Sequence, residues 1–99
     1  DELDQLEAAL ASGDLSLPQQ WPPRYRAEQE ILAAGDAYQL ARLIGVLARR
    51  DVEKGLAATE REVMEAAKSL LASEFAVVSG SELDRAEERI ETLLRERIG

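Results

Sequence analysis

Apolar residues in this chain recur every three or four positions rather than every second one, the spacing of helices that bury one face. Leu3, Leu6 and Leu10 predict a first helix from about Glu2 to Ala11, ended by Ser12-Gly13-Asp14. The run from Leu15 to Pro23 predicts an extended linker, because proline fixes φ and biases the residue before it away from α. A second helix is expected to start at Pro22 or Pro23 and end before Gly35, with Tyr25, Ile31 and Leu32 as its apolar residues. Asp36 is placed to cap a third helix, on which Leu40, Leu43, Ile44 and Leu47 make the cleanest stripe, with Gly55 as its stop. Thr59-Glu60-Arg61-Glu62 reads as a capping box opening a fourth helix, with Val63, Met64, Ala67, Leu70, Leu71 and Phe75 on its face and Gly80 at its end. Ser81 is expected to cap a fifth, striped by Leu83, Ala86, Ile90, Leu93 and Leu94. The fold class that follows is all-α: a compact bundle of four to five short antiparallel helices. Residues 1–20 are expected to form an N-terminal helix and linker, and residues 21–99 the helical domain proper.

Composition agrees and narrows the chemistry. Only eleven of 99 residues are Val, Ile or Thr, whereas Ala and Leu supply thirty-one. With neither His nor Cys there is no imidazole base, thiolate nucleophile, zinc finger or disulfide framework. No Gly-rich phosphate loop occurs, and no serine has a His or Lys base at recognisable spacing, so no enzyme and no cofactor is expected. No apolar run approaches the roughly 20 residues of a membrane span, and a cytoplasmic location is expected. The chain begins at Asp1 and its only methionine is Met64, so a fragment or processed chain is expected.

The formal net charge of −8 argues against a free-standing nucleic-acid binder. Its distribution changes that picture. Residues 1–20 carry −5, residues 51–80 carry −3 and residues 81–99 carry −2, but residues 21–50 carry +2. The single net-basic segment opens with the single tryptophan.

Trp21-Pro22-Pro23-Arg24-Tyr25-Arg26 is the most informative stretch. Trp21 has two readings from the residues alone. It is a staple packed into the core, or an exposed wedge presented by stiff prolines, with Arg24 and Arg26 behind it to hold phosphates. Arg49 and Arg50 end the third helix, where cations suit the helix dipole or could meet phosphate; Arg42 shares a face with Arg49. Carboxylate pairs such as Glu87-Glu88 read as solvating charge rather than metal ligands, and Glu91 with Arg95 as an i,i+4 surface pair. An acidic helical protein–protein interaction module without DNA contact is therefore an alternative reading of the same chain.

The run from Trp21 to Ala41, W-P-P-R-Y-R-A-E-Q-E-I-L-A-A-G-D-A-Y-Q-L-A, resembles the C-terminal domain of the CarD family of bacterial transcription regulators, also called CdnL. Leu47 to Leu56 is similar to the family's Arg-Arg-Asp-x-Glu-(Arg/Lys)-Gly-Leu segment, and the helix from Glu60 to Val78 to its long helix. Likeness is good over Trp21–Val78 and weaker at both ends. The resemblance implies a monomeric module that contacts promoter DNA just upstream of the −10 element and stabilises the RNA polymerase open complex. Trp21 would wedge into the minor groove at the upstream edge of the bubble, and Arg24 and Arg26 would contact phosphates. Arg49, Arg50 and Arg61 match positively charged family positions. The family's Tudor-like N-terminal domain, which binds the polymerase β subunit, is not in this sequence. Two departures stand out. Pro22-Pro23 follow the tryptophan where relatives often carry polar or basic residues, and Ala57 stands where relatives place a capping Ser, so Thr59 is expected to take over that cap.

Overall fold

Five helices account for most of the chain in the computed structural model, which describes residues 1–97. They are α1 (Glu2–Ser12), α2 (Pro23–Ala34), α3 (Ala37–Lys54), α4 (Ala58–Ser79) and α5 (Leu83–Arg97), and the described residues include no strand. The all-α bundle is as the periodicity predicts.

Most punctuation also falls where local chemistry dictates. Asp36 caps α3 through Oδ1, which accepts the N–H groups of Tyr38 at 2.9 Å and Gln39 at 3.1 Å. Gly13, Gly35 and Gly80 end their helices with positive φ, which costs glycine nothing.

Two predicted caps are corrected. Helix α4 opens at Ala58, with Ala57 at the cap position and no side chain bonded there, so Thr59 lies inside the first turn. Within α4, Glu60 stands in helical register with Val63, Ala67 and Leu71 and carries its carboxylate inward. The turn before it is tied by Asp51 instead: its Oδ1 accepts Leu56 N–H at 3.2 Å, and Arg61 pairs with it at 3.1 Å. Ser81 does not cap α5, because its hydroxyl meets that of Ser79 at 2.7 Å. The carbonyl of Glu82 opens that helix by accepting Ala86 N–H.

Helix α3 lies at the centre. Leu40, Ala41, Leu43, Ile44 and Leu47 are all but removed from water, and burial of each large side chain is worth about 1.5–3 kcal/mol. Helix α1 packs along one side of α3 through Leu6, Ala9 and Leu10, and α4 packs along another through Val63, Met64, Ala67 and Leu71. Helix α5 adds Ala86, Ile90, Leu93 and Leu94 against α4 and α1. One continuous core therefore includes the first helix as well as the last.

Helix α2 is the outlier. It packs on α3 and α4, on a different flank from α5, and its single fully buried residue is a glutamate, Glu28. Between α1 and α2 the linker alternates: Leu15 and Leu17 turn toward the core and Ser16 and Pro18 toward water, the two-residue period of an extended run. It ends in a turn at Trp21-Pro22, whose peptide bond is cis.

Candidate nucleic-acid interface

The proline pair fixes where α2 can begin. Pro22 takes the cap position and Pro23 the first helical position, where a missing N–H is no loss. Trp21 is thereby left just outside the helix, 44% exposed, and the reading of it as a core staple fails. Its ring leans on Tyr25, with centroids 5.1 Å apart and planes at 45°. The guanidinium carbon of Arg24 lies 5.3 Å from the same ring centroid, within cation–π range. Arg26, one turn along, is exposed.

Beneath this surface lies an ionic cluster. Arg24 grips Glu60 with two prongs, Nε to Oε2 at 2.9 Å and Nη2 to Oε1 at 3.2 Å. Its third edge donates from Nη1 to the Gln19 carbonyl at 2.7 Å. Arg50 approaches Glu60 from α3 at 3.5 Å, and Glu28 lies 3.8 Å from Arg24. The side chains of Glu28 and Glu60 are 0% and 3% exposed.

Two buried carboxyls this close do not both ionise easily. Burial, and then the neighbouring Glu60, push the Glu28 carboxyl up to about 8, so Glu28 is neutral at pH 7. Burial works against the Glu60 carboxylate too, but hydrogen bonds from Glu28 and Arg24 and the charges of Arg24 and Arg50 outweigh it and hold its pKa below the ordinary value. Both Glu28 oxygens are buried, and neither accepts a hydrogen bond from an N–H or O–H donor around it. Protonated, Glu28 can donate from one oxygen to Glu60, which gives that oxygen a partner and removes the second buried charge.

The basic residues singled out in the sequence are thus dispersed in their roles. Arg24 and Arg50 converge on Glu60 below Trp21. Arg26 is beside them and faces water. Arg61 is on α4, paired with Asp51. Arg49 reaches across to the end of α1, donating to the carbonyls of Ala11 and Ser12 at 2.6 and 2.8 Å. Arg42 bonds Gln39 rather than extending a basic stripe with Arg49.

On the acidic side, Glu91 does not pair with Arg95. Lys68 of α4 takes it at 3.1 Å, and Arg95 donates to Thr92. Among the described residues no group of three or more acidic side chains is arranged to hold a metal ion, and no helix is long and apolar enough to cross a membrane.

The pair of buried glutamates is what the sequence reading missed. A signal for it exists. Glu28 stands three and four residues before Ile31 and Leu32, and Glu60 three and four before Val63 and Met64. A carboxylate on an apolar stripe needs a partner, and the Arg four positions before Glu28 is that partner for both.

Compared with known families, residues 5–91 match the family model described as CarD, C-terminal domain. The match takes in most of α1 and the first part of α5, so it reaches well beyond Trp21–Val78 at both ends.

Proposed function

The chain belongs to the CarD C-terminal domain family, and on that footing we propose that it is a non-enzymatic transcription module that contacts promoter DNA through Trp21. The observation that carries this reading is the exposure of a single tryptophan on a built platform. Its ring is 44% open to solvent, yet supported by Tyr25 and Arg24. An indole so held can enter a minor-groove step just upstream of the −10 element, at the upstream edge of the melted bubble. Arg26 is the exposed cation beside it that can hold a phosphate, and Arg50, partly open, is the next nearest. Arg50 is also paired with Glu60, but it shares the cluster beneath Trp21, whereas Arg49 and Arg61 bond to the end of α1 and to Asp51.

Stacking on a base is worth about 1–3 kcal/mol, and unstacking an intact step costs about a few kcal/mol. The wedge therefore gains little on closed duplex and more where a step is already open. A preference of about 1.4 kcal/mol for the open complex shifts that equilibrium tenfold. The module acts as a monomer in the bacterial cytoplasm, and RNA polymerase, bound through its β subunit by the family's Tudor-like domain, supplies the local concentration that a −8 chain lacks.

Footprinting of promoter complexes with the parent protein and its Trp21→Ala variant tests this. The expected result is loss of protection at the upstream bubble edge and a shorter-lived open complex, with the variant's melting temperature close to the parent's. An unchanged footprint and lifetime would sink the reading in favour of a protein-binding module.

A further inference from the structure

We propose that Glu60 is a positioning residue for Trp21, acting through Arg24; the idea rests on the reading that Trp21 meets DNA. Glu60 cannot reach a ligand itself, since it is buried under α2 and its carboxylate faces two arginines. What it does reach is the group beneath the indole. The two Glu60 oxygens fix the plane of the Arg24 guanidinium by a fork that a single point charge could not match. That plane supports the Trp21 ring on one side, with Tyr25 adding a second support. The remaining edge of the same guanidinium holds the Gln19 carbonyl, two residues before the tryptophan. One side chain therefore pins both the backbone leading into Trp21 and the surface its ring rests on, and a helix thirty-six positions away in sequence sets that side chain.

The consequence is preorganisation. A ring held in one orientation loses less freedom when it inserts than a ring on a mobile turn. Replacing the Arg24–Glu60 pair changes how Trp21 is presented, not which atoms touch DNA.

Because Trp21 is the only tryptophan, its emission reports one ring. The test compares the parent chain with Glu60→Gln and Arg24→Lys. In free protein it reads time-resolved Trp anisotropy and near-ultraviolet circular dichroism, and then fluorescence titration with a fork-junction DNA. Both variants are expected to show lower anisotropy, a weaker near-ultraviolet signal and fork affinity reduced about threefold to tenfold. Electrostatics alone predicts the reverse for Glu60→Gln, which removes a negative charge, and no change for Arg24→Lys, which keeps a positive one. Folded variants with the parent's Trp signals and unreduced affinity overturn the proposal. Should Glu60→Gln not fold, Arg24→Lys decides by the same criteria. A parent protein that ignores fork DNA, with Trp signals still weakened in the variants, supports the positioning role and overturns the DNA reading instead.

Discussion

Gly45 of α3 presses its backbone against the carbonyl of Leu10 in α1, leaving no room for a side chain. A Cβ on Gly45 would overlap that oxygen and stand 3.1 Å from the Cα of Gly13. The crossing of α1 over α3 thus depends on a residue that weakens a helix by about 1 kcal/mol in isolation.

Gly45→Ala should accordingly destabilise the protein, against the usual direction for glycine in a helix. Both obstructing groups are backbone and cannot swing aside, so a net cost of about 1–3 kcal/mol is expected. For a chain of this length that is a fall in Tm of about 4–8 °C per kcal/mol, read by thermal denaturation. A variant as stable as the parent would show that the helices separate freely.

Arg49→Ala should loosen the same junction from its other side. The guanidinium supplies donors to two carbonyls at the end of α1, which has no basic residue in its own last turn. A loss of about 1 kcal/mol is expected, with hydrogen exchange accelerating first in α1. Uniform acceleration across all helices would argue against a local role.

The buried carboxyl of Glu28 gives stability a pH dependence of definite sign. Folded, the group holds its proton until about pH 8, whereas its ordinary value is 4.5. Between those values the folded state binds more protons than the unfolded one, so stability falls as pH rises. Its contribution is complete below pH 4.5 and lost by the time pH passes about 8, with a slope of at most about 1.4 kcal/mol per pH unit. Glu60, held low, acts oppositely: its contribution is lost as pH falls below its ordinary range. Glu28→Gln should flatten the decline between about pH 5 and 8 in urea denaturation. Parallel parent and variant curves would mean that Glu28 is ionised in the folded protein.

DNA binding, on the proposed reading, should depend weakly on salt for a DNA-contacting protein. With Arg26 and Arg50 as the available phosphate partners, log K should fall against log salt with a slope of about −2. Arg26→Ala should reduce the slope's magnitude by about one. A steep slope that Arg26→Ala leaves intact would move the contact to another surface.

Helix content, most of the core stripes and most helix ends were legible in the sequence because they follow local rules: Asp36 needs only its own helix, and a glycine stop only its own turn; Leu70 and Leu83, placed on the stripes of α4 and α5, instead face water. Thr59 misled because a capping box is a local pattern, while α4 starts at Ala58 with no side-chain cap and turns Glu60 inward to Arg24 and Arg50. Glu28 was missed, and Arg49 reads in the sequence only as a helix-end cation or phosphate contact, for a related reason. Charged residues read as solvent-facing until their surroundings are known: Glu28 is covered beside Glu60 of α4, and Arg49 finds the carbonyls that end α1. Gly45 sits inside the apolar stripe of α3, where spacing alone gives it no task; only the crossing of α1 does.

The separation of α2 from α5 has a further consequence for encounters with a polyanion. The acids gather on helices other than α2, and the Trp21 corner carries the exposed Arg26. On the proposed reading, the field of a nucleic acid would push such a body outward and also turn it, the acidic helices away and the Trp21 corner inward. The charge of this domain therefore works less as adhesive than as a rudder. If Trp21 meets DNA as proposed, that charge does little to bring the protein there and favours the attitude in which the ring leads.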